Sequence, residues 1–155
     1  MGEVIKQNQI NEVLFKLKEQ GKTIVVTNGC FDILHVGHVK YLQKSKSFGD
    51  ILVVLMNSDS SVKLIKGNDR PINTQDDRAY ILCALSCVDY VILFDEKSPV
   101  DLLKNIKPDV YTKGADYNLQ TLPEAPIILE NGGRVEFIKF EDGKSTTNII
   151  EKIKT

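Results

Sequence analysis

Thr27-Asn28-Gly29-Cys30-Phe31-Asp32-Ile33-Leu34-His35-Val36-Gly37-His38 is the stretch that decides the fold. Before it stands Thr23-Ile24-Val25-Val26, a β-branched run of the kind that forms a buried strand. After it, Val39-Lys40-Tyr41-Leu42-Gln43-Lys44-Ser45 fits a helix. The stretch is therefore a strand, a glycine-bearing turn and a helix start. In an α/β protein such a junction lies at the carboxyl end of a strand, where ligands bind. Backbone N–H groups at a helix start carry partial positive charge and suit phosphate. The chain has two histidines, and both fall here, three residues apart around Gly37. On the first turn of a helix that spacing puts both imidazoles on one side, toward one anion.

Working outward, strands alternate with helices along the whole chain. A helix is expected over 3–20, where Ile10, Val13, Leu14 and Leu17 recur at helical spacing and Gly21 stops it. Ile51-Leu52-Val53-Val54-Leu55-Met56 is a continuous apolar run, as a strand covered on both faces requires. Residues 63–74 read as a mobile basic loop with Lys63, Lys66 and Arg70. Thr74 caps a helix to about Ser86, with Asp77 three positions on. Strands at 88–94, 108–112 and 135–140 follow, separated by helices begun by Ser98-Pro99 and at 122–130. Ser145 caps a terminal helix. The expected fold is α/β: a Rossmann-like, doubly wound parallel sheet of about five strands. It is one domain over 1–155, with 1–21 as a packing helix and 22–155 as the catalytic core.

At 155 residues the chain can bury roughly 70% of its unfolded surface and needs no staples. A net charge of −1 argues against a nucleic-acid footprint, which needs clustered basic excess. No stretch of 18 apolar residues suggests a membrane span, and the N-terminus lacks a signal-peptide pattern. Three cysteines without paired spacing point to a reducing compartment, hence the cytoplasm. Cys30, His35 and His38 do not make a zinc site, because structural zinc takes four ligands at paired spacing. No metal ligands are assigned. Cys83 and Cys87 are core residues by default.

The residues around the turn, with Asn57-Ser58-Asp59, Lys66-Gly67, Arg70-Pro71-Ile72-Asn73, Arg78, Lys113-Gly114-Ala115-Asp116-Tyr117 and Gly143-Lys144-Ser145-Thr146-Thr147, occur in a recognisable order. That set resembles the HxGH nucleotidyltransferases of the cytidylyltransferase-like group. Within them it looks most like the D-glycero-β-D-manno-heptose 1-phosphate adenylyltransferases, which make ADP-heptose for lipopolysaccharide core or related glycans. The resemblance implies ATP as nucleotide, Mg²⁺ on its phosphates, and a sugar phosphate as acceptor. Many such relatives are fused behind a sugar kinase, which here would be a separate protein, and many are homodimers.

The resemblance also distributes roles. His35 and His38 are the catalytic pair, stabilising charge that builds on the α-phosphoryl group as pyrophosphate leaves. Asn28, Gly29, Cys30, Phe31, Gly37, Lys113, Gly114, Asp116, Ser145, Thr146 and Thr147 would hold the nucleotide. Lys66, Arg70 and Arg78 would meet the substrate phosphate, and Asn57, Asp59 and Tyr117 the sugar. Glycerol-3-phosphate cytidylyltransferase and FAD synthetase share the histidine turn and are the rival enzymes. A nucleotide-sensing protein that lost turnover is the non-enzymatic rival.

Overall fold

A computed structural model describes residues 1–140 and 143–155. In chain order the elements are β1 (Glu3–Val4), a 3-10 turn (Gln7–Gln9), α1 (Ile10–Glu19), β2 (Ile24–Gly29), α2 (Val36–Lys46), β3 (Ile51–Asn57) and α3 (Asp59–Lys66). They continue as α4 (Gln75–Ala84), β4 (Tyr90–Phe94), α5 (Val100–Ile106), β5 (Val110–Gly114), α6 (Ala125–Glu130), β6 (Arg134–Ile138) and α7 (Thr146–Lys154). All strand pairings are parallel, in the order β1-β4-β3-β2-β5-β6. From β2 the chain builds outward through β3 to β4, then returns to the other side of β2 for β5 and β6. The order reverses at β2, and a crevice opens beyond the carboxyl ends of the strands there.

Strand periodicity sorts the core into two layers. Ile24, Val26, Val53 and Leu55 face Ile10, Leu14, Leu103, Ile106 and Ile128. Val25, Leu52, Val54 and Met56 face Tyr41, Leu42, Leu82 and Cys83. The inner strands are fully buried on both faces, which is why their sequences are continuous apolar runs. Each such side chain contributes about 1.5–3 kcal/mol by leaving water. That two-sided packing holds the strand ends, and therefore the site, in place.

Two expectations are corrected. The helix expected over 3–20 is confined to Ile10–Glu19, and Glu3 and Val4 pair with Tyr90 and Val91 as a sixth, edge strand. Gly2 is pressed against this edge: a Cβ there would lie 2.7 Å from the Val88 carbonyl. The basic stretch 63–74 is also not one loop. Ser58 caps α3 by accepting from the Ser61 N–H, and Gly67, at φ 103°, ends the helix. Lys63 and Lys66 therefore stand on its last turn, where cations suit the helix dipole. Thr74 and Ser145 cap α4 and α7 as expected. Pro99 is the N-cap of α5 rather than its first helical residue, so the helix begins one position later than expected, at Val100. Among the described residues no helix is long and apolar enough to cross a membrane.

Candidate active site

The turn after β2 is folded tightly on itself. Phe31 adopts φ 50°, left-handed backbone that a non-glycine residue occupies only when its surroundings hold it. Its ring lies over Gly29, where a Cβ would come within 2.9 Å of it. The same ring meets His38 edge-on at 5.3 Å between centroids. Asp32, 2% exposed, accepts from the Ile72 and Asn73 N–H groups at 2.8 Å each and from Arg70 Nε at 3.1 Å. The stretch expected to be mobile is thus tied to the turn by one buried carboxylate. The Asn28 side chain accepts from the Tyr111 hydroxyl.

The histidines are oriented by backbone. His35 is the N-cap of α2, and its Nδ1 accepts from the Gly37 N–H at 3.1 Å. His38 Nδ1 accepts from the His35 N–H at 3.3 Å. An Nδ1 that accepts carries no proton, so the proton of each neutral ring is on Nε2. The rings stack at 3.8 Å and 25°. Burial, with His35 alongside, lowers the His38 pKa to about 4. Burial and then Lys144 lower that of His35. At neutral pH the pair is therefore two uncharged Nε2–H donors. Gly37 makes this possible, because a Cβ there would sit 2.8 Å from the His35 ring.

The pair lines a cleft of about 750 Å³. Of the residues expected to act, the cleft walls bring together Asn28, Gly29, Cys30, Phe31, Gly37, Asn57, Lys66 and Arg70 beside both histidines. From β5 and α7 come Lys113, Gly114, Asp116, Tyr117, Ser145, Thr146 and Thr147. Thr146 Oγ1 donates to the Ile33 carbonyl at 3.3 Å, fastening the start of α7 to the histidine turn. Burial depresses the Lys113 pKa, opposed by the Glu124 and Asp116 carboxylates. Its ammonium lies 5.2 Å from the centre of the Tyr117 ring. Gly114 admits the Phe140 ring, which a Cβ would meet at 2.1 Å. The Cys30 thiol pKa is raised by burial against the pull of Lys66, Arg78 and Arg70, so it stays protonated.

Arg78 and Asp59 do not reach the cleft wall. Arg78 is 1% exposed and spends its donors on protein. Nη1 donates to the Cys30 and Asn57 carbonyls at 2.8 Å each, Nε to Asn73 O at 3.0 Å, and Nη2 to Asp59 Oδ1 at 2.8 Å. It joins the ends of β2 and β3 from behind. Asp59, expected at the sugar, is its counter-ion. Conversely, Asp32, Lys97, Ser98, Glu124 and Lys144 line the cleft without having been assigned roles. Lys144 stood inside a quoted motif, but Glu124 carried no spacing signal. Among the described residues no group of three His, Cys, Asp or Glu side chains could hold a metal.

Residues 26–152 match the family model described as cytidylyltransferase-like. The bifunctional protein HldE of Geobacter sulfurreducens is 56% identical over 136 residues, 88% of this chain and 28% of that protein. The HldE of Nitratiruptor sp. is 52% identical over 154 residues, 99% of this chain and 32% of that protein. The chain spans about three-tenths of the length of these curated relatives. Among solved structures, a lipopolysaccharide core biosynthesis protein from Thermoplasma volcanium matches with TM-score 0.63 and 33% identity, covering 80% of this chain and 100% of that one. The strand order, the histidine turn and these matches agree: the chain belongs to the cytidylyltransferase-like family of nucleotidyltransferases.

Proposed function

We propose that the chain transfers the adenylyl group of ATP to D-glycero-β-D-manno-heptose 1-phosphate, releasing pyrophosphate and giving ADP-heptose. The observation that carries the reading is the histidine pair. Two Nε2–H donors, set by backbone hydrogen bonds before any ligand arrives, stand at a helix start in a cleft walled by lysines and hydroxyls. Donors fixed in advance stabilise charge that appears only in the transition state.

In the proposed reaction an oxygen of the sugar phosphate attacks the α-phosphorus of ATP in line. A new P–O bond forms, the bond to the β-phosphate bridging oxygen breaks, and pyrophosphate leaves with the electron pair. The attacking oxygen is already ionised, so no general base is required. His35 and His38 donate to the α-phosphoryl oxygens as their charge rises. Ser145, Thr146 and Thr147 receive the β- and γ-phosphates at the start of α7. Lys66 and Arg70 separate the acceptor phosphate from the triphosphate. Arg78 is a positioning residue, acting through Cys30 and Asn57.

Mg²⁺ fits this site as a companion of the triphosphate. Asp32 has both oxygens committed to the chain, so the ion would be held mainly by phosphate oxygens and water. The heptose assignment rests on the family resemblance, the relatives named HldE and the likeness to the Thermoplasma lipopolysaccharide core biosynthesis protein. A sugar 1-phosphate acceptor calls for a sugar kinase activity that supplies it, and the use of ATP fits the cytoplasm. Pyrophosphate release across the four nucleoside triphosphates and a panel of sugar 1-phosphates tests the reading. ATP with the heptose phosphate should give the highest kcat/KM. A tenfold preference for CTP, or for glycerol 3-phosphate, overturns it.

A further inference from the structure

Glu124 is 6% exposed and lies in the wall of the cleft. Its Oε1 accepts from the Ser98 hydroxyl at 2.8 Å. Its Oε2 is buried and has no partner, and no other buried side-chain polar atom among the described residues is in that position. The residue is the N-cap of α6, but its side chain caps nothing: Pro126 has no N–H, and the Ala125 N–H is bonded to the Leu122 carbonyl. The side chain turns instead toward Ser98. Burying a carboxylate oxygen without a donor is costly, and such groups in native proteins call for a missing partner. Here the missing donor has the cleft to arrive from.

We propose that Glu124 is the residue that recognises the sugar, with Oε2 accepting hydrogen bonds from ring or side-chain hydroxyls of the acceptor. This deepens the proposed transfer reaction and rests on it. The chemistry of the partner follows from charge: a carboxylate repels the phosphates of both substrates, so what meets it is a neutral, donor-rich part. Three ligand parts can donate in that way, the acceptor's polyol, the ribose and the amino group of adenine. Placement favours the polyol. Glu124 itself follows β5, but Ser98, which donates to it, follows β4, on the β3 side of β2, the side that also supplies Asn57 and Lys66. On the half of the sheet order with β5 and α7, Asp116 is already read as holding the nucleotide, which leaves the Glu124 carboxylate, held at the junction of the two halves, for the polyol. Lys113 is close enough to feel the Glu124 charge but makes no ion pair with it. The free oxygen is therefore left for a ligand.

The test is pyrophosphate release by the wild type and by Glu124→Gln, with heptose 1-phosphate and its single-deoxy analogues, and with ATP and 2′-deoxy-ATP. Glutamine keeps the shape while its NH₂ replaces one accepting oxygen. The expected result is a tenfold or greater rise in the KM of heptose 1-phosphate with the KM of ATP within twofold. Removing the recognised hydroxyl should cost the wild type tenfold or more in kcat/KM and the variant less than threefold. That coupling is what a merely structural glutamate would not give. Unchanged sugar-phosphate kinetics in a folded Glu124→Gln overturns the assignment. Coupling to the ribose 2′-hydroxyl instead also overturns it. If the variant does not fold, the deoxy series on the wild type decides: no single hydroxyl worth tenfold overturns the proposal. A wild type that turns over no sugar phosphate overturns the transfer reading itself, whereas turnover without coupling overturns only the role of Glu124.

Discussion

Arg78→Met should unfold the site from behind rather than empty it of a phosphate contact. Arg78 holds three carbonyls, those of Cys30, Asn57 and Asn73, and the Asp59 carboxylate, at 2.8–3.0 Å. Hydrogen bonds from a charged donor contribute about 1.5–3 kcal/mol each. Methionine fills much of the volume and removes the cost of burying a guanidinium, which offsets part of the loss. Asp59, with a side chain 37% exposed, can turn to water and adds little. The net expectation is about 3–5 kcal/mol, set by three carbonyls left without their donor at roughly 1–3 kcal/mol each and reduced by the relief of burying the guanidinium. For a domain of this size that corresponds to a melting temperature lower by about 6–20 °C. The assay pairs a thermal melt with kinetics well below the melt. Because Cys30 and Asn57 line the cleft, the KM values of both substrates should worsen together. An unchanged melt with a tenfold rise in the sugar-phosphate KM alone would refute the reasoning and make Arg78 a direct phosphate ligand.

Two further outcomes follow from the histidine turn. The His38 pKa of about 4 lies below its ordinary value of 6.5, so on acidification the unfolded chain takes up the proton first. The stability owed to neutral His38 is full above pH 6.5 and is lost as the pH falls toward 4. Melts at pH 7.5 and 5 should therefore differ less in His38→Gln than in the wild type, and an equal difference contradicts the assignment. Gly37→Ala would place a Cβ 2.8 Å from the His35 ring and drive it off the Gly37 N–H. Its kcat should fall about 10²-fold, as for loss of one preorganised donor, while stability holds, since alanine favours a helix by about 1 kcal/mol over glycine. Near-normal kcat would mean that the ring's anchoring is irrelevant to transfer.

Most of the fold was legible because local chemistry and tertiary packing agree along this chain. Ile51 to Met56 reads as a buried strand and is one, and Thr74 and Ser145 announce their helices through their own hydroxyls. The edge strand at Glu3 and Val4 was not legible. Two residues have no periodicity, and their conformation comes from pairing with β4, 87 positions away. Helix α3 did have signals, a Ser58 cap and Gly67 stop, but its polar surface hides the one buried apolar residue, Val62. In the site, the residues of the histidine turn and of the start of α7 were legible as neighbours of one cleft because strand ends and helix starts set their positions. Arg78 was misplaced because a guanidinium in a phosphate-handling sequence can point to substrate or to carbonyls, and only packing decides. Glu124 was missed because its significance is an absent partner, which no spacing records.

The central claim is that neutral His35 and His38 act on the transition state. Its most direct measurement is the single-turnover rate of adenylyl transfer, at saturating ATP and heptose 1-phosphate, for His38→Ala beside the wild type, with ATP affinity and a melt recorded on the same samples. Removal of one preorganised donor should slow transfer on the order of 10²–10³-fold, about 3–4 kcal/mol of barrier, with ATP affinity nearly unchanged. A transfer rate within threefold of wild type, in a variant that still binds ATP, would contradict the account.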